Sequence, residues 1–168
     1  MTANRVTIVN HCAIDIACPP SVLWAALTDD YVDGGGFAQA GYRIEPLDEP
    51  ALVLGGYRMR FESEALADDR ICRITERDEE AMRLSLQAEY LSAAANGMVV
   101  YATYQVVPDG EGALYRLDCH ATLGLEVGAG ASREEIAQII ATLRTHFHEG
   151  IAVKAAELKA RIEMARVG

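Results

Sequence analysis

The sequence predicts an α+β fold: a curved, seven-stranded antiparallel sheet closing on one long C-terminal helix, with two short helices between the first and second strands. Three observations lead to it. Apolar residues alternate with polar ones near the start and again through most of residues 42–123. A proline- and glycine-punctuated segment separates those two regions. From Ser132 onward the apolar period changes from two to three-and-four and keeps that spacing almost to the end.

In the first run, residues 6–17, Val6, Ile8, Cys12, Ile14 and Ile16 share one parity, while Thr7, His11 and Asp15 share the other. That is a half-buried strand, with Asn10 as a polar residue on the inward parity. Cys18-Pro19-Pro20-Ser21 stops it, because proline donates nothing to a ladder yet suits the first turn of a helix. A short helix follows through Val22, Leu23, Trp24 and Leu27 and is expected to end at Thr28-Asp29-Asp30. Gly34-Gly35-Gly36 reads as a flexible break before Phe37; it lacks the lysine of a phosphate loop.

The central region is strand and turn. Tyr57, Met59 and Phe61 alternate with Arg58, Arg60 and Glu62, and Met82, Leu84, Leu86, Ala88 and Tyr90 alternate with polar neighbours. Val100, Ala102, Tyr104 and Val106 form one face of the next strand, and Tyr115, Leu117, Cys119, Ala121 and Leu123 one face of the last. Turn residues fall between them at Asp48-Glu49-Pro50, Asp78-Glu79-Glu80, Asn96-Gly97 and residues 108–112. Short connections between alternating strands argue for an antiparallel meander with one wet face. Residues 71–77 alternate less cleanly and read as an edge strand.

Ser132 followed three residues later by Glu135 is a capping box. Ile136, Ile139, Ile140, Leu143, Phe147, Ile151, Leu158 and Ile162 then form one apolar stripe on a helix of ~50 Å, with Gly150 as the expected bend. One helix cannot fill the concave face of a strongly curved seven-stranded sheet, so a cavity between them is expected.

Composition narrows the function. The 168 residues, 51% of them hydrophobic, suit one domain spanning residues 1–168 that buries ~70% of its unfolded surface. Fifteen basic residues against 25 acidic ones give a net charge of −10, which argues against nucleic acid and against an anionic membrane surface. Residues 133–166 carry +1 of that total, so the acidity sits on the sheet and its loops. Four cysteines without a C-x-x-C pair, and no long apolar segment, suit a cytoplasmic protein. No H-E-x-x-H, G-x-S-x-G, P-loop or G-x-G-x-x-G pattern occurs. His146 and His148 lie ~200° apart around a helix and cannot share a metal, so no metal and no cofactor are expected.

The residues that could carry chemistry face the cavity. Tyr42, Tyr57, Tyr90, Tyr104 and Tyr115 fall on inward parities, and a buried phenol needs a partner for its hydroxyl. Lys154 lies ~20° from Phe147 around the helix, close to the centre of the apolar stripe. A cation there snorkels, pairs, meets a ligand, or, if desolvated, acts as a base or imine-forming amine. Arg144 flanks the stripe, and His11 and His120 have outward parity. The candidate ligand-binding set is Tyr57, Met59, Phe61, Tyr90, Tyr104, Tyr115, Leu143, Phe147 and Lys154.

The stretch IDIACPPSVLWAALTDD, the segment GGYRMRF and the terminal helix from Ser132 resemble the SRPBCC, or START-like helix-grip, superfamily. Its members include birch-pollen-allergen-like carriers, polyketide cyclase/dehydrase-like proteins and heat-shock-ATPase activators. The resemblance covers nearly the whole chain as an order of elements and implies a cavity for small apolar or amphipathic molecules. It implies no single reaction, since the superfamily hosts lipid-transport-like carriers and enzymes alike. The expected function is binding of a small hydrophobic or amphipathic ligand between sheet and helix. The alternatives are a cyclase or dehydratase acting on a polyketide-like or aromatic substrate, and an interaction module of the ATPase-activator type. A homodimer is compatible with the sequence.

Overall fold

The structure is a computed structural model that describes residues 4–63 and 67–166. In chain order the elements are β1 (Asn4–Ile16), α1 (Pro20–Tyr31), α2 (Gly35–Gln39), β2 (Arg43–Pro46), β3 (Gly56–Glu62), β4 (Ala67–Asp78), β5 (Arg83–Tyr90), β6 (Val99–Asp109), β7 (Gly112–Leu125) and α3 (Arg133–Ala165). The seven strands form one antiparallel sheet in the order β1-β7-β6-β5-β4-β3-β2. Strands β2 to β7 are a meander, and β1 pairs with the last of them from Asn4–Leu125 to Ile16–Ala113. The first helical pair therefore bridges the two edges of the sheet, bending it around its inner face.

That inner face follows the alternation in the sequence. Ile8, Ile16, Tyr57, Leu84, Leu86, Ala102, Val106, Tyr115 and Ala121 are buried, and so is Asn10. Pro19 caps α1 and Pro20 occupies its first turn, where a missing N–H costs nothing. The helix buries Leu23, Trp24 and Leu27 against β6 and β7, each burial contributing ~1.5–3 kcal/mol. Trp24 Nε1 donates to Glu79 Oε2, which ties the helix to the β4–β5 turn.

Three sequence expectations are corrected. Helix α1 runs one residue past Thr28-Asp29-Asp30, to Tyr31, with the Thr28 hydroxyl donating back to the Trp24 and Ala25 carbonyls inside the helix. Gly34-Gly35-Gly36 is not a flexible break. Gly34 is a left-handed N-cap and the other two open α2, packed so closely on α1 that a Cβ on Gly35 would lie 2.6 Å from Asp29 O. Strand β4 is not an edge: it runs between β3 and β5, and the register shift between Ile74 and Glu76 is what blurs its alternation.

Helix α3 opens with both halves of the capping box, Glu135 N donating to Ser132 Oγ (3.2 Å) and Ser132 N to Glu135 Oε2 (2.7 Å). It passes through Gly150 as one uninterrupted helix. Its burial is lopsided. Ala155, Leu158 and Ile162 are buried, whereas the stripe is half-buried from Ile136 to Phe147, with Ile139 exposed. The C-terminal half is clamped: Lys159 Nζ donates to Asp15 O (2.6 Å), Ala17 N donates to Glu163 Oε1 (2.9 Å), and Arg161 pairs with Asp30 of α1. The N-terminal half lies over the inner face without closing on it.

Candidate functional site

Between the sheet and α3 is a cavity of about 740 Å³. Strand register explains why it exists. One lateral row of inward residues runs Tyr57, Cys72, Ala88, Val100, Ala121 and Ile8, and the next runs Ile74, Leu86, Ala102, Cys119 and Asn10. The middle of the sheet thus carries small side chains under a helix that is anchored elsewhere, and the volume left over is the cavity. Exposed Ala40, His146 and Lys154 mark its rim.

One wall is aromatic. Tyr31 of α1 stacks on Tyr104 at a centroid distance of 4.4 Å, and Phe37 of α2 meets Tyr31 edge-on at 5.8 Å and Tyr42 at 5.7 Å. Tyr104 in turn lies 6.3 Å from Tyr115. Burial pushes the Tyr57, Tyr104 and Tyr115 phenols far up and Tyr90 up to about 12. At neutral pH all four are protonated, so they act as hydrogen-bond donors and not as bases. Tyr57 is buried, and its hydroxyl has no hydrogen-bond partner among the described residues. The neighbouring Cys72 thiol donates instead to Met59 Sδ, at 3.8 Å.

The charged groups on the wall are paired. Arg70 of β4 gives its Nε and Nη2 to the Asp68 carboxylate, which also accepts from Tyr42 Oη at 2.9 Å. Its guanidinium lies over the Tyr90 ring at 4.5 Å. Burial alone would lower the Arg70 pKa; the Asp68 carboxylate, with Tyr90 and Tyr42, reverses this and holds it above the ordinary value. Arg161 meets Asp30 in two hydrogen bonds, Nη1 to Oδ1 at 2.9 Å. Lys154 pairs with Glu157 at 2.9 Å.

Of the sequence candidates, Tyr57, Tyr90, Tyr104, Tyr115, Phe147 and Lys154 line the cavity, as does Asn10. Met59 is in the packed core, and Phe61 is half-buried against Tyr42, with centroids 5.2 Å apart. Leu143 is half-buried on α3 away from the cavity lining. Lys154 is a rim residue, its side chain 76% exposed. The lining residues that the sequence did not reveal include Tyr31, Phe37, Arg70 and Arg161. Arg70 had a signal: it shares parity with Cys72 and Ile74, and it pairs across with Met59 and Tyr90. No group of metal-ligating side chains occurs among the described residues, and none of their helices is long and apolar enough to cross a membrane.

This architecture is a START-like helix-grip fold. Among solved structures, norcoclaurine synthase from Thalictrum flavum is similar at a TM-score of 0.65 and 15% identity, covering 96% of this chain and 97% of that one. The structure of Ara h 8.0201 is similar at 0.62 and 12%, over 95% and 97% of the two chains. A START superfamily protein from Mycobacterium smegmatis gives 0.61 and 12%, over 94% and 98%. At these identities the likeness is one of fold. No protein-family model matches the sequence, and no curated protein matches it.

Proposed function

We propose that this protein binds a small hydrophobic or amphipathic molecule in the cavity between the sheet and α3. The observation that carries this reading is the cavity itself. Its volume of about 740 Å³ lies within the ~300–1,000 Å³ of small-molecule sites, and its lining is apolar and aromatic with a few polar groups. The protonated phenols favour holding a ligand over abstracting a proton from it, and the exposed, ion-paired Lys154 is not the desolvated amine that imine chemistry needs. The free Cys12, Cys18, Cys72 and Cys119 support a reducing, cytoplasmic setting.

The test is to fill the cavity floor. Ala102→Phe projects a ring from the interior strand β6 into the space between the sheet and α3. A neutral solvatochromic naphthyl ketone should bind the native protein saturably at one site, with blue-shifted emission, and Ala102→Phe should abolish that binding while the protein stays folded. Binding that does not saturate, or that survives Ala102→Phe unchanged, would show that the cavity is not the site.

A further inference from the structure

We infer that Asn10 is the residue that selects the ligand, and that the group it selects is a lactam or cis-amide edge. In such an edge an N–H lies beside a C=O, and the Asn10 carboxamide meets both with two hydrogen bonds. This rests on the ligand-binding reading above and adds its specificity.

Asn10 breaks the apolar parity of β1, and the fold turns it inward: it is 6% exposed and lines the cavity. Its carboxamide has no hydrogen-bond partner among the described residues. The Tyr57 hydroxyl is sealed inside the wall, whereas the oxygen and nitrogen of Asn10 open onto the cavity. A ligand atom can therefore reach them.

The surroundings supply nothing to pair with. Along β1 the inward neighbours of Asn10 are Ile8 and Cys12, and across the ladder they are Leu117, Cys119 and Ala121. Burial pushes the Cys12 and Cys119 thiols up, so both stay protonated and are weak donors at best. A carboxamide in an apolar wall leaves a donor and an acceptor unmet, and each unmet group costs free energy. A lone carbonyl or ether oxygen on the ligand would answer the N–H alone. A lactam edge answers both at once, because its N–H and C=O point the same way with the spacing of the carboxamide's own two groups.

Room and charge agree with this. Cys119 lies directly across from Asn10 and Ala102 beyond it in the same lateral row, both small, so the space beside the carboxamide is open. A ligand carboxylate would set its charge against the Asn10 oxygen. The wall cations Arg70, Lys154 and Arg161 already hold Asp68, Glu157 and Asp30, so none is free to receive it.

Three probes on one bicyclic skeleton test this: quinolin-2-one, its N-methyl derivative, and coumarin, in which a ring oxygen replaces the N–H. Each is titrated against the naphthyl ketone bound to the full chain. Quinolin-2-one should displace it at a concentration roughly 10-fold lower than either analogue, since only the lactam N–H finds an acceptor in Asn10. Asn10→Leu, close to isosteric, should weaken the lactam and bring all three to similar affinity. The comparison with the N-methyl compound needs no substitution, so it stands even where Asn10→Leu does not fold. Equal displacement by the three probes, no displacement by the lactam, or a lactam preference that persists in Asn10→Leu overturns the role of Asn10 and leaves ligand binding standing. Failure of the ketone itself to bind would overturn both proposals.

Discussion

Arg70→Met is the most informative stability test of the site. The side chain is 19% exposed and meets Asp68, 10% exposed, through two hydrogen bonds. Methionine keeps the aliphatic bulk of the residue and removes the charge, so Asp68 becomes a buried carboxylate with only the Tyr42 hydroxyl facing it. Breaking a buried pair in this way costs ~3–5 kcal/mol, and loss of the cation over the Tyr90 ring adds ~1 kcal/mol, while the surviving Tyr42 bond offsets part of it. A net loss of ~2–4 kcal/mol corresponds to a fall of roughly 5–15 °C in melting temperature for a chain of this size. Urea unfolding followed by fluorescence reads it directly, because Trp24 is the single tryptophan and is buried. Adding Asp68→Asn removes the stranded charge and keeps an acceptor for Tyr42. The double variant should therefore recover to within ~1.5 kcal/mol of the native protein. A single variant that loses less than ~1 kcal/mol, or a double variant no more stable than the single, would refute the view of this pair as mutually dependent.

Other outcomes follow from the same contacts. Gly35→Ala should cost ~1–3 kcal/mol by forcing α2 away from the Asp29 carbonyl, whereas Gly150→Ala, where a Cβ meets nothing, should stabilise by ~1 kcal/mol; parallel thermal melts compare them. Arg161→Gln should loosen the α1–α3 clamp by ~0.5–1.5 kcal/mol, a modest figure because the arginine is nearly half exposed, and high salt should shrink the difference from the native protein. Ser132→Ala should speed amide exchange over residues 133–136 without changing the cavity. The Ser132 amide and hydroxyl hold the Glu135 carboxyl below its ordinary range. Its contribution to the cap is therefore present above that range and is lost as the pH falls through the lowered value, so protection at the start of α3 should fall in acid in the native protein, and Glu135→Ala should remove that pH dependence.

Much of this molecule was legible in residue order because parity and period are local properties. Alternation marked the inward faces of β1, β3, β5, β6 and β7, including Asn10, and the switch to a helical period at Ser132 with its capping box located α3. Five of the inward tyrosines and the near-neutral charge of the closing helix were visible in the same way. What escaped had a physical cause in each case. A bulge after Ile74 blurred the rhythm of the second half of β4, and a charged residue on an inward parity, with apolar Ile71 on the outward one, disguised the direction of Arg70. Phe37 is brought to Tyr31 and the cavity by α2 folding back on α1 through closely packed glycines, a contact measured in backbone clearance and not in hydrophobicity.

The sequence by itself determined the elements, their order, and which side of each strand is apolar, since these follow from side-chain spacing along one chain. Only the tertiary structure decided which small residues share a lateral row, how α3 is clamped at one end and open at the other, and which charges meet. Those are sums over residues far apart in sequence. They leave a cavity of about 740 Å³ with balanced charge and one unpartnered phenol, because rows of alanine under a helix held elsewhere cannot fill the space between them.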